Sequence, residues 1–97
     1  MAKSVVIKKS TKPDKKLMAV FDIDGKKKTT HFGSKGSDDY TKTNNKEQRK
    51  RYRQRHAKDL NTNDPTRAGF LSYYILWGDS TSLDKNISDY KKRFKFS

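Results

Sequence analysis

Over the first third of the chain, apolar and polar residues alternate with the two-residue period of a half-buried strand. The runs are SVVIKKS (4–10), KLMAVFDI (16–23) and KKKTTHF (26–32). Asp24-Gly25 separates the last two, and that dipeptide suits a type I′ turn, which needs positive φ at both central positions. A two-residue loop sets Ile23 opposite Lys26, Asp22 opposite Lys27, Val20 opposite Thr29 and Leu17 opposite Phe32. Opposite charges then meet near the turn and large apolar residues at the far end, both of which stabilise an antiparallel pair. Pro13-Asp14, inside STKPDKK (10–16), reads as a turn or flexible connection to the preceding strand. Two strands alone are marginal in water, so a helix must cover one face.

After Phe32 the pattern changes. GSKGSDDYTKT (33–43) reads as a polar loop, and Asn44 opens an Asn-x-x-Glu pattern resembling a capping box. A helix is expected over roughly 45–60, with only Tyr52, Ala57 and Leu60, beside His56, as its apolar stripe. NTNDP (61–65) stops it and starts another, with Asp64 as N-cap and Pro65 at the first helical position. AGFLSYYILW (68–77) is apolar almost all round and predicts the buried centre of the fold, ended by Gly78 as a left-handed C-cap residue. Thr81 with Asp84 signals a further helix, in which Leu83, Ile87, Tyr90 and Phe94 recur at helical spacing. The expected architecture is a single α+β domain over residues 1–97. A small N-terminal antiparallel hairpin of two or three strands is followed by about three helices, and residues 1–16 form a flexible or edge-strand arm.

Composition moves the emphasis from core to surface. Of 97 residues 30% are apolar and 36% charged, and 24 Lys and Arg stand against 11 Asp and Glu, a formal charge of +13. Such a charge repels itself in the compact chain and favours a polyanionic partner. The absence of cysteine excludes disulfides and Cys-based zinc sites. MAKSVVIKKS (1–10) holds three consecutive apolar residues, too few for a signal-peptide core or a membrane span. An intracellular location, without membrane association, is therefore expected.

Several constellations invite a chemical reading. Asp22-Ile23-Asp24-Gly25 after an apolar strand resembles the opening motif of the haloacid-dehalogenase phosphotransferases, which would make Asp22 a nucleophile and Asp24 a general acid. The Thr that follows the Gly in that motif is Lys26 here, no alternation of strands and helices follows, and the chain is short for a doubly wound sheet. A hairpin turn in which Asp22 neutralises Lys27 accounts for the same residues. Asp22, Asp24, Asp38 and Asp39, with His31 or His56 as base, would suit metal-dependent nucleic-acid cleavage only if the carboxylates converged from rigid elements; solvated loop carboxylates are the simpler account. Neither histidine has a His or Cys at ligand spacing. No metal or cofactor is therefore expected, nor a small-molecule substrate. The backbone amides of GSKG (33–36), beside Lys35, suit one phosphate of a polymer, although the pattern of a nucleotide-binding loop is absent.

The strongest chemical signal is KEQRKRYRQRHAK (46–58), with seven Lys and Arg against one Glu. Adjacent cations on a helix repel, and a merely solvated face mixes signs, so the run points to contact with phosphates or an acidic surface. Arginine suits that task because its planar fork meets two phosphate oxygens at once. The candidate binding set is Lys46, Arg49, Lys50, Arg51, Arg53, Arg55 and Lys58, joined by Lys35 and by Lys91, Lys92 and Arg93 near the C-terminus. A localisation signal is the bland alternative for the same run. Phe70, Tyr73, Tyr74 and Trp77 read as core, and whichever of the two tyrosines the fold leaves uncovered becomes an interaction surface.

HFG (31–33), DDYT (38–41), RKRYRQRHAK (49–58), AGFLSYYILWG (68–78) and SLDKNISDYKKRF (82–94) together resemble a short basic family of unknown function encoded by large nucleocytoplasmic DNA viruses of algae and protists. The resemblance spans roughly 17–96, and the order and spacing of the blocks carry it. Members often have a second Trp in the aromatic helix, which this chain lacks. The resemblance implies a virus-encoded protein working near viral DNA or inside a virion, in the host cytoplasm or nucleus, and no particular mechanism. The expected function is non-enzymatic, largely sequence-independent binding of nucleic acid through its phosphates. The rival is a minor virion protein docked on acidic capsid or core subunits, and a metal-dependent nuclease or phosphatase ranks last.

Overall fold

The computed structural model describes residues 3–97; the first two positions of the expected arm lie outside them. Three strands, β1 (Lys3–Lys9), β2 (Lys15–Ile23) and β3 (Lys26–Ser34), form an antiparallel sheet in the order β1-β2-β3. The β2/β3 register pairs Ile23 with Lys26, Asp22 with Lys27, Val20 with Thr29 and Leu17 with Phe32, as the two-residue turn requires. Asp24 and Gly25 have φ of 54° and 84°, the left-handed pair that a type I′ turn demands. The sheet is covered on one side. Val5 is 1% exposed and its neighbour Val6 56%, because alternate side chains point to opposite faces and only one of these meets the helices.

The helical part holds more elements than the sequence pattern suggests. Within the expected 33–43 loop lies a one-turn helix, α1 (Tyr40–Thr43). Tyr40 enters the core, and Asp39 caps the turn by accepting from the Lys42 amide. Asp39 is therefore not a solvated carboxylate: it is 4% exposed and lies 2.7 Å from the Lys16 ammonium. The next helix, α2 (Lys46–His56), is capped by Asn45, whose side chain accepts from the Gln48 amide. Asn44, the expected start of a capping box, sits at φ 58° with its N–H on the Tyr40 carbonyl, closing α1. A left-handed residue ends the first helix and redirects the chain into the second, and Asn tolerates that conformation. A 3₁₀ segment, Ala57–Thr62, prolongs α2.

Asp64-Pro65 does not start a helix. α3 (Ala68–Leu71) begins later, behind Arg67, without a side-chain cap. The Asp64 carboxylate turns back onto the Thr66 amide at 3.0 Å and its hydroxyl at 2.6 Å. Thr66 in turn receives the Lys28 ammonium at 2.8 Å, and its carbonyl accepts from the Thr30 hydroxyl, also at 2.8 Å. The Tyr90 hydroxyl donates to the Pro65 carbonyl. Bonds to β3 and to the last helix thus outweigh one local cap.

α3 runs on as a π-helical segment, Ser72–Leu76, closed by the Trp77 amide on the Ser72 carbonyl at 3.0 Å. Gly78 is not left-handed. A Cβ there would meet the Tyr74 carbonyl and come within 2.7 Å of Asn86 Cγ, so close packing demands the glycine. The last helix, α4 (Leu83–Phe94), is capped by Ser82 rather than Thr81. Lys95, at φ 61°, then turns the chain so that Phe96 packs on Phe21, with ring centroids 5.3 Å apart. Ser97 bonds along the outer edge of β1 through Lys3 and Val5.

The core is the contact of Leu71, Ile75, Leu76, Trp77, Tyr90 and Phe96 with Val5, Ala19, Phe21 and Phe32. Asn86, 1% exposed, ties the π-helical segment to α4 by donating to the Ile75 and Ser80 carbonyls and accepting from the Ser80 amide. Among the described residues no helix is long and apolar enough to cross a membrane.

Candidate functional site

α2 buries none of its side chains, as a helix so poor in apolar residues must. It is held to the body by one aromatic side chain and two arginines. Tyr52 lies between His56 and Trp77, with ring centroids 4.2 and 4.4 Å away and the Trp77 ring within 11° of parallel. Burial pushes the Tyr52 phenol above its ordinary pKa, against the opposing effect of the nearby Ser72 side chain. Arg49 donates through Nε to the Gly78 carbonyl at 2.6 Å and reaches Asp79 at 2.7 Å. Arg53 donates to the Trp77 carbonyl at 2.9 Å, with its guanidinium 4.3 Å from the Tyr73 ring centroid. These carbonyls lie at the C-terminal end of the π-helical segment, where backbone acceptors lack partners and negative partial charge collects. Burial, and then the charge of Arg49 beside it, hold the Arg53 pKa below its ordinary value.

The seven cations of the basic run therefore divide by helical phase. Arg49 and Arg53, one turn apart, face inward and cap another helix. Lys46, Lys50, Arg51, Arg55 and Lys58 are exposed and form no ion pair among the described residues. Lys46 and Lys50 border a shallow groove of about 520 Å³ with the stems of Arg49 and Arg53 and with Tyr73. Arg51 and Arg55 border a second groove with Gln48 and Gln54.

The other candidates lie apart from one another. Arg93, on α4, stands 4.9 Å from the Tyr74 ring centroid, and Arg53 is 5.9 Å from the same ring, so this one C-terminal cation adjoins the α2 surface. Lys91 is half-buried and Lys92 exposed in the last turn of α4, where cations also favour the helix terminus itself. Lys35 is exposed on the turn after β3. Its amide, one of those expected to cradle a phosphate, is already engaged by the Asp14 carbonyl, and the next turn is closed by the Ser37 amide on the Ser34 carbonyl.

The carboxylates of the hydrolase readings are dispersed. Asp22 faces Lys27 across the hairpin, Asp24 forms the turn, and Asp39 caps α1. Among the described residues no group of three or more His, Cys, Asp or Glu side chains converges on one point. His31, on an edge strand, meets the Ser10 hydroxyl through Nδ1 at 2.7 Å. Of two further features of the surface, pattern reading anticipated one and missed the other. Tyr73 and Tyr74 are only half-buried and lie under arginines, and a cleft lined by Lys15, Gln48 and Arg55 opens on the inner side of α2. The aromatic run signalled the first, whereas nothing local signals the second, because its walls come from segments remote in sequence.

Residues 5–56, which reach from β1 to the last residue of α2, match the Family of unknown function (DUF5754). No curated protein matches the chain, and no solved structure does.

Proposed function

The chain belongs to the DUF5754 family of unknown function, and since that membership names no activity, we propose from its surface chemistry that it is a non-enzymatic protein that binds nucleic acid through phosphate contacts. One observation carries the reading: four cations of α2, with Lys58 on the 3₁₀ segment that prolongs it, project from the body without an ion pair among the described residues, while the two that the fold requires are withdrawn from that surface. Unpaired like charges on one helix repel each other, and phosphates relieve that repulsion with release of counterions. A field of Lys and Arg fixes position and reads no bases, so binding is largely independent of sequence. The resemblance to proteins of large DNA viruses extends the proposal to a virus-encoded protein acting on viral nucleic acid in the infected cell or in the virion.

The test is a titration against random-sequence duplex DNA over a range of salt. With roughly five phosphate contacts the logarithm of the binding constant falls against the logarithm of salt with a slope of about −4.5. A flat dependence rejects the proposal. Retention by acidic particle proteins after nuclease digestion, at fixed stoichiometry, replaces it with a structural role in the virion.

A further inference from the structure

A cleft of about 590 Å³ opens between the end of β3, with the turn after it, and the inner side of α2. That volume falls within the range of small-molecule sites, roughly 300 to 1,000 Å³. Its apolar wall is made by Phe32, Leu76 and Trp77, which are fixed by the core. Trp77 is held further by the stack with Tyr52 and His56.

Three carboxylates and three cations line the cleft, so its formal charges balance, and what distinguishes the groups is their pairing. Each carboxylate has a partner within the protein: Asp39 with Lys16 at 2.7 Å, Asp59 with His56 Nδ1 at 3.1 Å, and Asp38 with Lys42 at 3.7 Å. Lys15 and Arg55 line the same cleft and form no ion pair among the described residues. The bond to Asp59 through Nδ1 also directs Nε2 of His56 away from that carboxylate. What remains is two unpaired cations beside an apolar wall; Arg55 belongs also to the exposed face of α2, whereas Lys15, on β2, does not. An arginine fork and a lysine together match the oxygens of a phosphate group, and the apolar wall suits a flat ring attached to it.

We propose that this cleft binds a phosphomonoester carrying an aromatic base, either a free nucleoside monophosphate or the phosphorylated end of a nucleic-acid strand. From sequence alone no small-molecule ligand was expected, because Lys15, Arg55 and Trp77 belong to separate segments that only the fold brings to one cleft. The proposal does not rest on phosphate-backbone binding by the outer face of α2.

Trp77 is the single tryptophan of the chain and lines the cleft, so its emission reports on occupancy. Titration of the whole protein with adenosine 5′-monophosphate produces a saturable change in that emission and shifts the amide resonances of Gly33 and Gly69, which also line the cleft. Arg55→Ala and Lys15→Ala each weaken binding by about tenfold, whereas Lys85→Ala, which removes the same charge from α4, leaves it unchanged. If a 5′-phosphorylated oligonucleotide displaces the monophosphate and its unphosphorylated twin does not, the ligand is a strand end; if neither does, it is the free nucleotide. Three results overturn the proposal: no saturable response of Trp77, Gly33 and Gly69; a response indifferent to both Arg55→Ala and Lys15→Ala; or displacement by both oligonucleotides to the same extent. Salt-dependent binding of duplex DNA stands or falls separately.

Discussion

α2 and α4 have nearly the same length, 11 and 12 residues, and both are rich in Lys and Arg, yet they are joined to the protein by different forces. α4 presents a continuous apolar stripe and buries Asn86 and Tyr90. α2 buries nothing, and its attachments are one ring stack and two arginines bonded to backbone carbonyls. Hydrophobic burial scales with area and tolerates variation, whereas an arginine on a carbonyl acts at one point and in one orientation. A helix docked in the second way needs few apolar residues. The rest of its surface is then open to charge, and four unpaired cations occupy it, with Lys58 just beyond.

The largest test of this contrast replaces the central ring of each helix. Tyr90→Ala is expected to destabilise the protein by about 4 kcal/mol, through the cavity left among Phe94, Phe96 and Ile75. Tyr52→Ala is expected to cost only about 2 kcal/mol, since its ring is half-buried. Urea denaturation measures both, and equal losses would show that α2 too is held by burial.

Within α2 the division between inward and outward arginines gives the next effect. Arg53→Ala removes a bond to the Trp77 carbonyl and a cation over Tyr73, for a loss of about 1.5 kcal/mol. Arg51→Ala is expected to stay within about 0.5 kcal/mol of the parent. Binding inverts that ranking. Arg51→Ala and Lys50→Ala each lower the magnitude of the salt slope by about 1, and Arg53→Ala leaves it unchanged. Were Arg53→Ala to lower the slope as much, Arg53 would have to leave its carbonyl to reach phosphate.

The smallest effect concerns Asp64, in the segment joining the two halves. The hydroxyl of Thr66, with smaller contributions from its amide, Lys28 and Arg67, holds this carboxylate below its usual pKa. A folded-state pKa below the unfolded one contributes stability that is present above the unfolded value, about 3.9, and is lost as pH falls through the folded value. Acid titration of stability should therefore show a slightly steeper decline for the parent than for Asp64→Asn. Identical curves would remove Asp64 from the acid response.

The hairpin was legible in the sequence because its determinants are local. Asp24-Gly25 sets the turn, the turn sets the register, and the period of two assigns Val5, Ala19, Phe21 and Phe32 to one face. The apolar run 68–77 announced the buried centre for an equally local reason. The caps were less legible. At Asn44, Asp64, Gly78 and Thr81 a plausible local signal gave way to a neighbour: the left-handed reversal between α1 and α2, the bonds of Thr66 to β3, the packing of Asn86 against Gly78, and Ser82 one residue on. Each local cap contributes only about 1 kcal/mol, and a few tertiary bonds exceed that.

For the candidate surface the same boundary holds. Charge and its concentration in 46–58 follow from composition, which any fold of this chain must accommodate. Composition cannot distinguish Arg49 and Arg53 from Arg51 and Arg55, since all four are arginines on one helix. That distinction comes from where the π-helical segment ends, because the unpartnered carbonyls of Trp77 and Gly78 select the two side chains that reach them and leave the others to solvent.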